Sequence, residues 1–367
     1  MKNTYRIIPT YTGDVSGAAS ALYELGGMSV MHDPSGCNST YNTHDETRWY
    51  EEESLIYISG LTEVDAILGN DNKLIRDIIY AAEELKPRFI ALSSAPIPYL
   101  NGTDFEGIAR VLEKRTGIST FFVPTNGIHD YSVGAGNAFR RLAEKLFEGK
   151  TPCKSEKTGQ RNRINILGLT PLDYDAPGCI HGMLDQLSDY EIISKWAMGS
   201  SLEELQMADS ADWNLVVSVT GLKTAHYFQE KFGIPYRIGA PVTGFDRQLG
   251  QVRKDSRVYL IGEPVLMMSL AAKLAQQYGI SPVVINPLEI TLDGEPEDRM
   301  LWNGALVHKP VNTVGEEEVE KLIADADLIL ADPLYRPIAP EKAAFYAISH
   351  EAFSGRCDRK SRVNLFR

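Results

Sequence analysis

The chain has 367 residues, of which 43% are hydrophobic and 23% are charged, as is ordinary for a globular protein. Its 49 acidic and 37 basic residues give a net charge of −12, which argues against a nucleic-acid groove. No apolar run is long enough to cross a bilayer, the start does not resemble a signal peptide, and the four cysteines form no Cys-x-x-Cys pair. We therefore expect a cytoplasmic protein with neither a nucleic-acid nor a membrane partner.

Short apolar runs alternate with helix-like segments over the first 150 residues. The apolar runs predict buried strands at residues 26–31, 54–59, 88–94 and 120–124. Helical spacing and N-cap residues predict helices at residues 16–25, 72–85, 103–115 and 134–149, and another helix could begin at Asn38. This alternation is typical of a doubly wound α/β domain.

The same alternation restarts twice, after a polar basic linker at 150–163 and after a break near 250–255. It predicts strands at residues 164–169, 213–219, 233–239, 257–262, 281–285 and 328–332. It also predicts helices that begin at Cys179 or span residues 222–232, 264–278 and 316–324. We expect three Rossmann-like domains with mostly parallel sheets (1–150, 151–252 and 253–367), in series around a central cleft, with the C-terminal tail packing back on an earlier domain.

A turn built from Asp33, Pro34 and Gly36 places Cys37 after the first predicted strand and before a helix start. Ligands of open α/β sheets gather at the carboxyl ends of strands, and helix N-termini favour the thiolate. Cys37 is therefore a candidate for metal or redox chemistry. A buried structural thiol is the alternative, and the local sequence leaves both open.

Other motifs are weaker. No Gly-x-x-x-x-Gly-Lys-Ser/Thr motif occurs, so we expect no ATP hydrolysis on this chain. The segment Gly134-Ala135-Gly136 lacks a third glycine at the dinucleotide-binding spacing, and a tight turn at a helix start is the favoured interpretation. Cys179 and His181 lie at a predicted helix N-terminus facing the cleft and could contact a substrate, although a thiol without a role is the simpler interpretation.

Four segments, in this order and spacing, resemble the nitrogenase component 1 superfamily over most of the chain. They are His32 to Cys37, Ser59 to Asn70, Asn101 to Asp104 and Phe232 to Tyr236. That superfamily includes the nitrogenase α and β subunits, their cofactor-assembly scaffolds, and the protochlorophyllide and nickel-sirohydrochlorin reductases. The chain departs from its histidine-glycine-proline-x-glycine-cysteine pattern at Asp33, which replaces a glycine.

The resemblance implies a subunit of a two-component reductase. A separate P-loop iron protein would hydrolyse ATP and deliver electrons to a [4Fe–4S] cluster at a subunit interface, with Cys37 as a ligand. The substrate would lie in the cleft among the domains. The positions that match the family's second and third cysteines fall near Ile56 and Pro96, which cannot bind iron, so dinitrogen reduction is not expected.

The incomplete ligand set leaves three alternatives. A paralogous component 1 subunit could supply the remaining ligands, which is our first choice. A homodimer could use Cys37 twice with a neighbouring ligand from His32, Asp33 or Glu63. The chain could also hold no cluster, as a scaffold or carrier for a metallocofactor or tetrapyrrole, or as a structural pseudo-subunit.

Overall fold

The structure is a computed structural model that describes residues 5–36, 38, 46–49, 52–151, 162–176, 178–245, 249, 252–300, 308–355, 357 and 362–367. Three of the predicted features lie outside these residues. They are Cys37, residues 39–45 of the helix predicted to begin at Asn38, and residues 152–161 and 250–251 at the predicted domain boundaries.

The first sheet has four parallel strands in the order β2-β1-β3-β4. Its strands are β1 (Met28–His32), β2 (Leu55–Ile58), β3 (Ile90–Ser94) and β4 (Thr120–Val123). The helices of this part of the chain are α1 (Asp14–Leu22), α2 (Glu63–Leu68), α3 (Asp71–Leu85), α4 (Pro96–Leu100), α5 (Phe105–Thr116) and α6 (Tyr131–Leu146). The predicted cap is present, because the Asp104 carboxylate accepts a hydrogen bond from the Gly107 amide at 2.8 Å and thereby starts α5.

The second sheet has four parallel strands in the order β6-β5-β7-β8, and the third has five in the order β11-β10-β9-β12-β13. The second contains β5 (Arg163–Leu169), β6 (Glu191–Ala197), β7 (Trp213–Val216) and β8 (Tyr236–Ile238), with helices α7 (Cys179–Gln186), α8 (Leu202–Gln206) and α9 (Leu222–Phe232). The third contains β9 (Val258–Ile261), β10 (Val283–Asn286), β11 (Val311–Asn312), β12 (Leu328–Ala331) and β13 (Ala344–Ala347), with helices α10 (Pro264–Tyr278), α11 (Glu316–Ile323) and α12 (Glu351–Ser354). Three parallel sheets confirm the predicted Rossmann-like α/β fold class.

Helix α6 begins three residues before the predicted start at Gly134. Asp130 caps it, because its carboxylate accepts a hydrogen bond from the Ser132 amide at 2.8 Å. Gly134 therefore lies inside the helix, where α6 crosses α1. A Cβ atom added at Gly134 would lie 1.8 Å from the carbonyl oxygen of Asp14, so this glycine permits a close contact between two helices.

Among the described residues, three buried apolar clusters hold these elements together. The largest has members from Ile8 to Phe366 and includes strands of all three sheets. The second fills one face of the first sheet, where α3 and α5 pack through Leu74, Ile78 and Ile108. The third is small and joins α1 to β1 and β2 through Val15, Met31 and Ile56. The C-terminal residues 362–367 lie against the second sheet's part of the chain, where the Thr243 amide donates to the Leu365 carbonyl at 2.8 Å.

Candidate functional site

The first candidate site lies at the carboxyl edge of the first sheet. Strands β1 and β2 pair in parallel, so the ends of both strands meet there, with His32 closing β1 and Ser59 following β2. The His32 Nδ1 atom lies 2.7 Å from the Ser59 Oγ atom, which also accepts the Asp33 amide at 3.2 Å. Burial lowers the pKa of His32 below its ordinary value, so we expect a neutral imidazole at neutral pH.

Asp33 has an unusual environment in this turn. The residue is 1% exposed, yet neither carboxylate oxygen accepts a hydrogen bond within the described part of the chain. Its backbone is well bonded, since its carbonyl accepts the Leu61 amide at 2.8 Å. A buried carboxylate without a partner is costly, and its explanations in native proteins are local strain, a catalytic role, or a bound water or ion. Asp33 is therefore suited to face a bound group.

The three predicted cluster neighbours do not all lie in the same environment. His32 and Asp33 are buried in the turn after β1, whereas Glu63 is exposed in the first turn of α2. Among the described residues, no group of three or more His, Cys, Asp or Glu side chains could hold a metal ion. The unpartnered Asp33 carboxylate fits an additional ligand of a metal group, but a complete ligand set would require Cys37 and a second chain.

An exposed apolar surface flanks the same edge. We define the edge patch by six side chains of α2 and α4: Val64, Ile67, Leu68, Ile97, Tyr99 and Leu100. No residue of α2 is buried, and Leu68 and Leu100 are each 76% exposed. The Asn101 side chain donates to the Ala66 carbonyl at 2.7 Å and joins the two helices. A six-residue helix with an apolar exposed face is typical of a protein-interaction site.

A second polar cluster lies where parts of the chain from all three sheets meet. The buried Asp173 carboxylate, just after β5, accepts hydrogen bonds from Tyr131 Oη at 2.5 Å and Ser218 Oγ at 2.7 Å. The His350 Nε2 atom lies 2.9 Å from the same carboxylate. No sequence motif pointed to this cluster, because its members are 42 to 177 positions from Asp173.

The predicted cleft residues are at the start of α7. The Cys179 thiol donates to the Tyr174 carbonyl at 2.7 Å, and burial raises its pKa to about 12. A raised pKa keeps Cys179 as the neutral thiol, whereas the thiolate is the form that binds a metal ion. This environment therefore favours a structural role for Cys179. His181 is exposed. Phe366 covers the same helix, because a Cβ atom added at Gly182 would lie 2.4 Å from the Phe366 carbonyl oxygen.

We expect Glu263 to make the stability of the protein depend on pH. Its carboxylate accepts the amides of Val219 at 2.9 Å and Leu266 at 2.7 Å. Burial, followed by the negative charge of Asp173, raises the pKa of Glu263 to about 8. Because the folded state holds this proton more tightly than the unfolded state, the contribution of Glu263 is fully present below pH 4.5 and is lost as the pH rises towards 8.

We therefore expect the free energy of unfolding to fall between pH 5 and pH 8 by more in the natural protein than in a Glu263→Gln variant. Each pKa unit of the shift corresponds to about 1.4 kcal/mol. Urea unfolding at several pH values measures both slopes. Parallel curves for the two proteins would contradict this assignment, and Glu297→Gln, in an exposed segment, is the control.

Three Rossmann-like parallel sheets in one chain, with polar groups gathered at strand ends, define an α/β protein of the kind that binds ligands at its sheet edges. Residues 14–254 match the family described as nitrogenase component 1 type oxidoreductase. The chain therefore belongs to this family, which confirms the predicted resemblance.

Individual relatives are distant. The chain is 22% identical to the nitrogenase iron-molybdenum cofactor biosynthesis protein NifN of Bradyrhizobium diazoefficiens, over 92% of this chain and 77% of that protein. It is 24% identical to the corresponding protein NifE of Methanosarcina barkeri, over 57% of this chain and 47% of that protein. It is also 22% identical to the nitrogenase molybdenum-iron protein beta chain of Acidithiobacillus ferridurans, over 74% of this chain and 57% of that protein.

The solved structures agree with the fold. A structure described as nitrogenase Cp1 at pH 5 superimposes with a TM-score of 0.64 at 17% identity, covering 96% of this chain and 86% of that one. In the part of the chain that the structure describes, no helix is both long and apolar enough to span a membrane.

Proposed function

We propose that this chain is a cytoplasmic subunit of a nitrogenase-like two-component reductase. In this proposal it accepts electrons from an ATP-hydrolysing P-loop iron protein through an iron–sulfur cluster, a [4Fe–4S] cluster shared with a paralogous subunit. The observation that carries the proposal is the buried carboxylate of Asp33, four positions before Cys37, which accepts no hydrogen bond from the described residues. The family membership supports the same conclusion.

The residues of the strand-end turn have separate roles in this proposal. Cys37 is the thiolate ligand, and Asp33 supplies a carboxylate oxygen beside it. His32 is a neutral neighbour that Ser59 orients through their 2.7 Å contact. Glu63, being exposed, is available to a second chain rather than to the turn. When bound, the cluster supplies one-electron transfer, and the partner subunit completes its ligand set.

The edge patch supports the need for a partner. Its apolar side chains lie on the two helices that follow β2 and β3, at the same sheet edge as Asp33. A subunit that covered the patch would also enclose the turn and exclude water from a cluster there. We further propose that the chain is divided into units 1–150, 151–252 and 253–367, and that a substrate lies among them, near α7.

Replacing Cys37 tests the cluster directly. After anaerobic purification of the chain with its co-expressed neighbours, we expect Cys37→Ala to lose most of the bound iron and sulfide, because no other thiol of this chain lies in the motif. Cys357→Ala is the matched control, since Cys357 is exposed and far from the motif in sequence. Equal iron content in the two variants would contradict the proposal.

A non-catalytic scaffold or carrier for a metallocofactor or tetrapyrrole is the second candidate. It is favoured by the relatives, since NifN and NifE are described as cofactor biosynthesis proteins. Binding measurements on the chain purified without iron distinguish the carrier from the reductase subunit. Tight binding of a tetrapyrrole or of an isolated metallocofactor by that protein, with no reducible cluster, would favour the carrier.

A further inference from the structure

Residues 5–11 precede α1 and lie against the third sheet's part of the chain, in front of the Asp173 cluster. We propose that this segment, here called the N-terminal strap, is a movable cover over the Asp173 cluster and that the Glu316 carboxylate holds it closed. The strap is independent of the proposed electron transfer, because the carboxylate that fastens it lies in α11 and not in the turn after β1.

One carboxylate supplies most of the polar attachment of the strap. Glu316 lies in the first turn of α11 and is 1% exposed. Its two oxygens accept the amides of Arg6, Ile7 and Ile8 at 2.7, 2.9 and 3.0 Å. Among the described residues, the strap makes no backbone–backbone hydrogen bond and belongs to no strand. Because hydrogen bonds to a charged acceptor are the strong ones, Glu316 is the group that keeps the strap in place.

Tyr11 is the residue of the strap that covers the cluster. It is 8% exposed, and its ring stacks on that of Phe353 with the centroids 4.5 Å apart. The same ring centroid lies 5.6 Å from that of His350 and 6.3 Å from that of Tyr131. Both of these side chains contact the Asp173 carboxylate directly. Displacement of Tyr11 would therefore uncover two members of the cluster.

The strap is separable from the fold behind it. Within the strap, only Ile8 and Tyr11 have buried side chains. The next residue is fixed, since the Thr12 amide donates to the Ala352 carbonyl and the Thr12 carbonyl accepts the Tyr131 amide, both at 2.7 Å. Segments with few buried contacts and no regular structure open locally, at a small part of the free energy of global unfolding. We therefore expect the strap to swing about Thr12 while α1 stays in place.

The strap shields an imidazole that a carboxylate orients. The His350 Nε2 atom lies 2.9 Å from Asp173, and the tautomer that donates this hydrogen bond leaves Nδ1 as an acceptor. Nδ1 is buried and has no hydrogen-bond partner among the residues that the structure describes. A carboxylate-oriented imidazole with one free nitrogen is suited to accept a proton from a ligand. Opening of the strap would give a small ligand access to that nitrogen.

Hydrogen exchange of the full natural chain tests whether the strap opens by itself. We expect the amides of residues 6–8 to exchange through a local opening that depends little on urea below about 1 M. The amides of β9, in the centre of the third sheet, should show the steep urea dependence of global unfolding. Equal urea dependence of the two sets would mean that the strap leaves only when the chain unfolds, which would overturn the proposal.

A matched pair of variants tests the role of Glu316. Glu316→Gln keeps one carbonyl oxygen but places an NH₂ donor against amide donors, so the amides of residues 6–8 should exchange about tenfold faster. Glu317→Gln makes the same change at the next, exposed position and should alter their exchange by less than about twofold. The amides of β9 should exchange alike in both variants, which reports that both are folded.

Chemical modification of His350 tests the covering role of the strap. Diethyl pyrocarbonate acylates an unprotonated imidazole nitrogen, and peptide mass spectrometry identifies the modified histidine. We expect Glu316→Gln to raise the modification rate of His350 about fivefold. The rate at His226, a half-exposed residue of α9, should stay unchanged. Tyr11→Ala removes the cover and keeps Glu316, so it should speed modification of His350 while the amides of residues 6–8 still exchange slowly.

Two results would overturn the proposal. Unchanged exchange of the strap amides in Glu316→Gln would contradict the role of this carboxylate. Unchanged modification of His350 in both Glu316→Gln and Tyr11→Ala would mean that the strap covers nothing. None of these measurements needs a cluster, so iron content, measured on the same samples, reports separately on the proposed function.

Discussion

A Gly134→Ala substitution is expected to lower the free energy of unfolding by about 3 kcal/mol. The added methyl group would meet backbone atoms, which cannot rotate away from it as a flexible side chain could. The added Cβ atom would lie 1.8 Å from the carbonyl oxygen of Asp14. The contact is reciprocal, since a Cβ atom at Gly17 of α1 would lie 2.1 Å from the Tyr131 carbonyl oxygen. The two helices would have to separate, and urea unfolding measures the loss.

Gly136→Ala is the matched control, two positions further along the same helix. Its nearest non-neighbouring atom, the Thr220 carbonyl oxygen, would be 3.4 Å from the new Cβ atom, close to ordinary contact. Alanine also favours a helix over glycine by about 1 kcal/mol. We expect this variant to lie within about 1 kcal/mol of the natural protein. Equal losses in the two variants would mean that the close contact of α1 with α6 is not the cause.

Asp173→Asn is expected to cost about 3 kcal/mol, as when one member of a buried charged network is removed. The carboxylate contacts side chains from three parts of the chain, namely Tyr131, Ser218 and His350. An amide keeps the shape but presents two donors in place of an acceptor, so one of these donors loses its partner. Chemical unfolding at pH 7 provides the measurement.

Asp189→Asn, in an exposed loop, removes the same charge and should change stability by less than about 0.5 kcal/mol.

The Asp173→Asn variant should also change the pH dependence of stability. Because the negative charge of Asp173 contributes to the raised pKa of Glu263, its removal should weaken the fall in stability between pH 5 and pH 8. A large loss of stability with an unchanged pH dependence would argue against the coupling of the two carboxylates.

Local sequence signals predicted the regular elements with long apolar runs and strong caps. Helix α10 spans Pro264–Tyr278 and α9 spans Leu222–Phe232, both as predicted, because a proline begins the first and a glycine ends the second. Strand β6 was not predicted, since the mixed sequence of Glu191–Ala197 shows neither a continuous apolar run nor a strict alternation. This segment becomes a strand because it pairs with β5 in the folded sheet, and that pairing is not visible in its own sequence.

The segment Gly134-Ala135-Gly136 illustrates the limit of local reasoning. A glycine required by a ligand and a glycine required by a neighbouring helix look the same in sequence. Gly134 has the second role, because it lies against α1. That helix is more than a hundred positions earlier in the chain, so a local window cannot show the contact. Asp33 is a similar case, because its sequence position suggested a turn. What distinguishes it from a surface carboxylate is its burial, with no hydrogen-bond partner among the residues that the structure describes.

The sequence by itself determined the family and the α/β fold class with parallel sheets, since each depends on patterns within short windows of the chain, whereas the strand-end position of Cys37 stays a prediction. The tertiary structure alone decided which polar groups meet, as with Asp173 and His350, 177 positions apart. It also decided which apolar residues stay uncovered, as in the edge patch. The physical reason is that propensity and capping act between near neighbours, whereas burial and pairing depend on how sheets and helices pack.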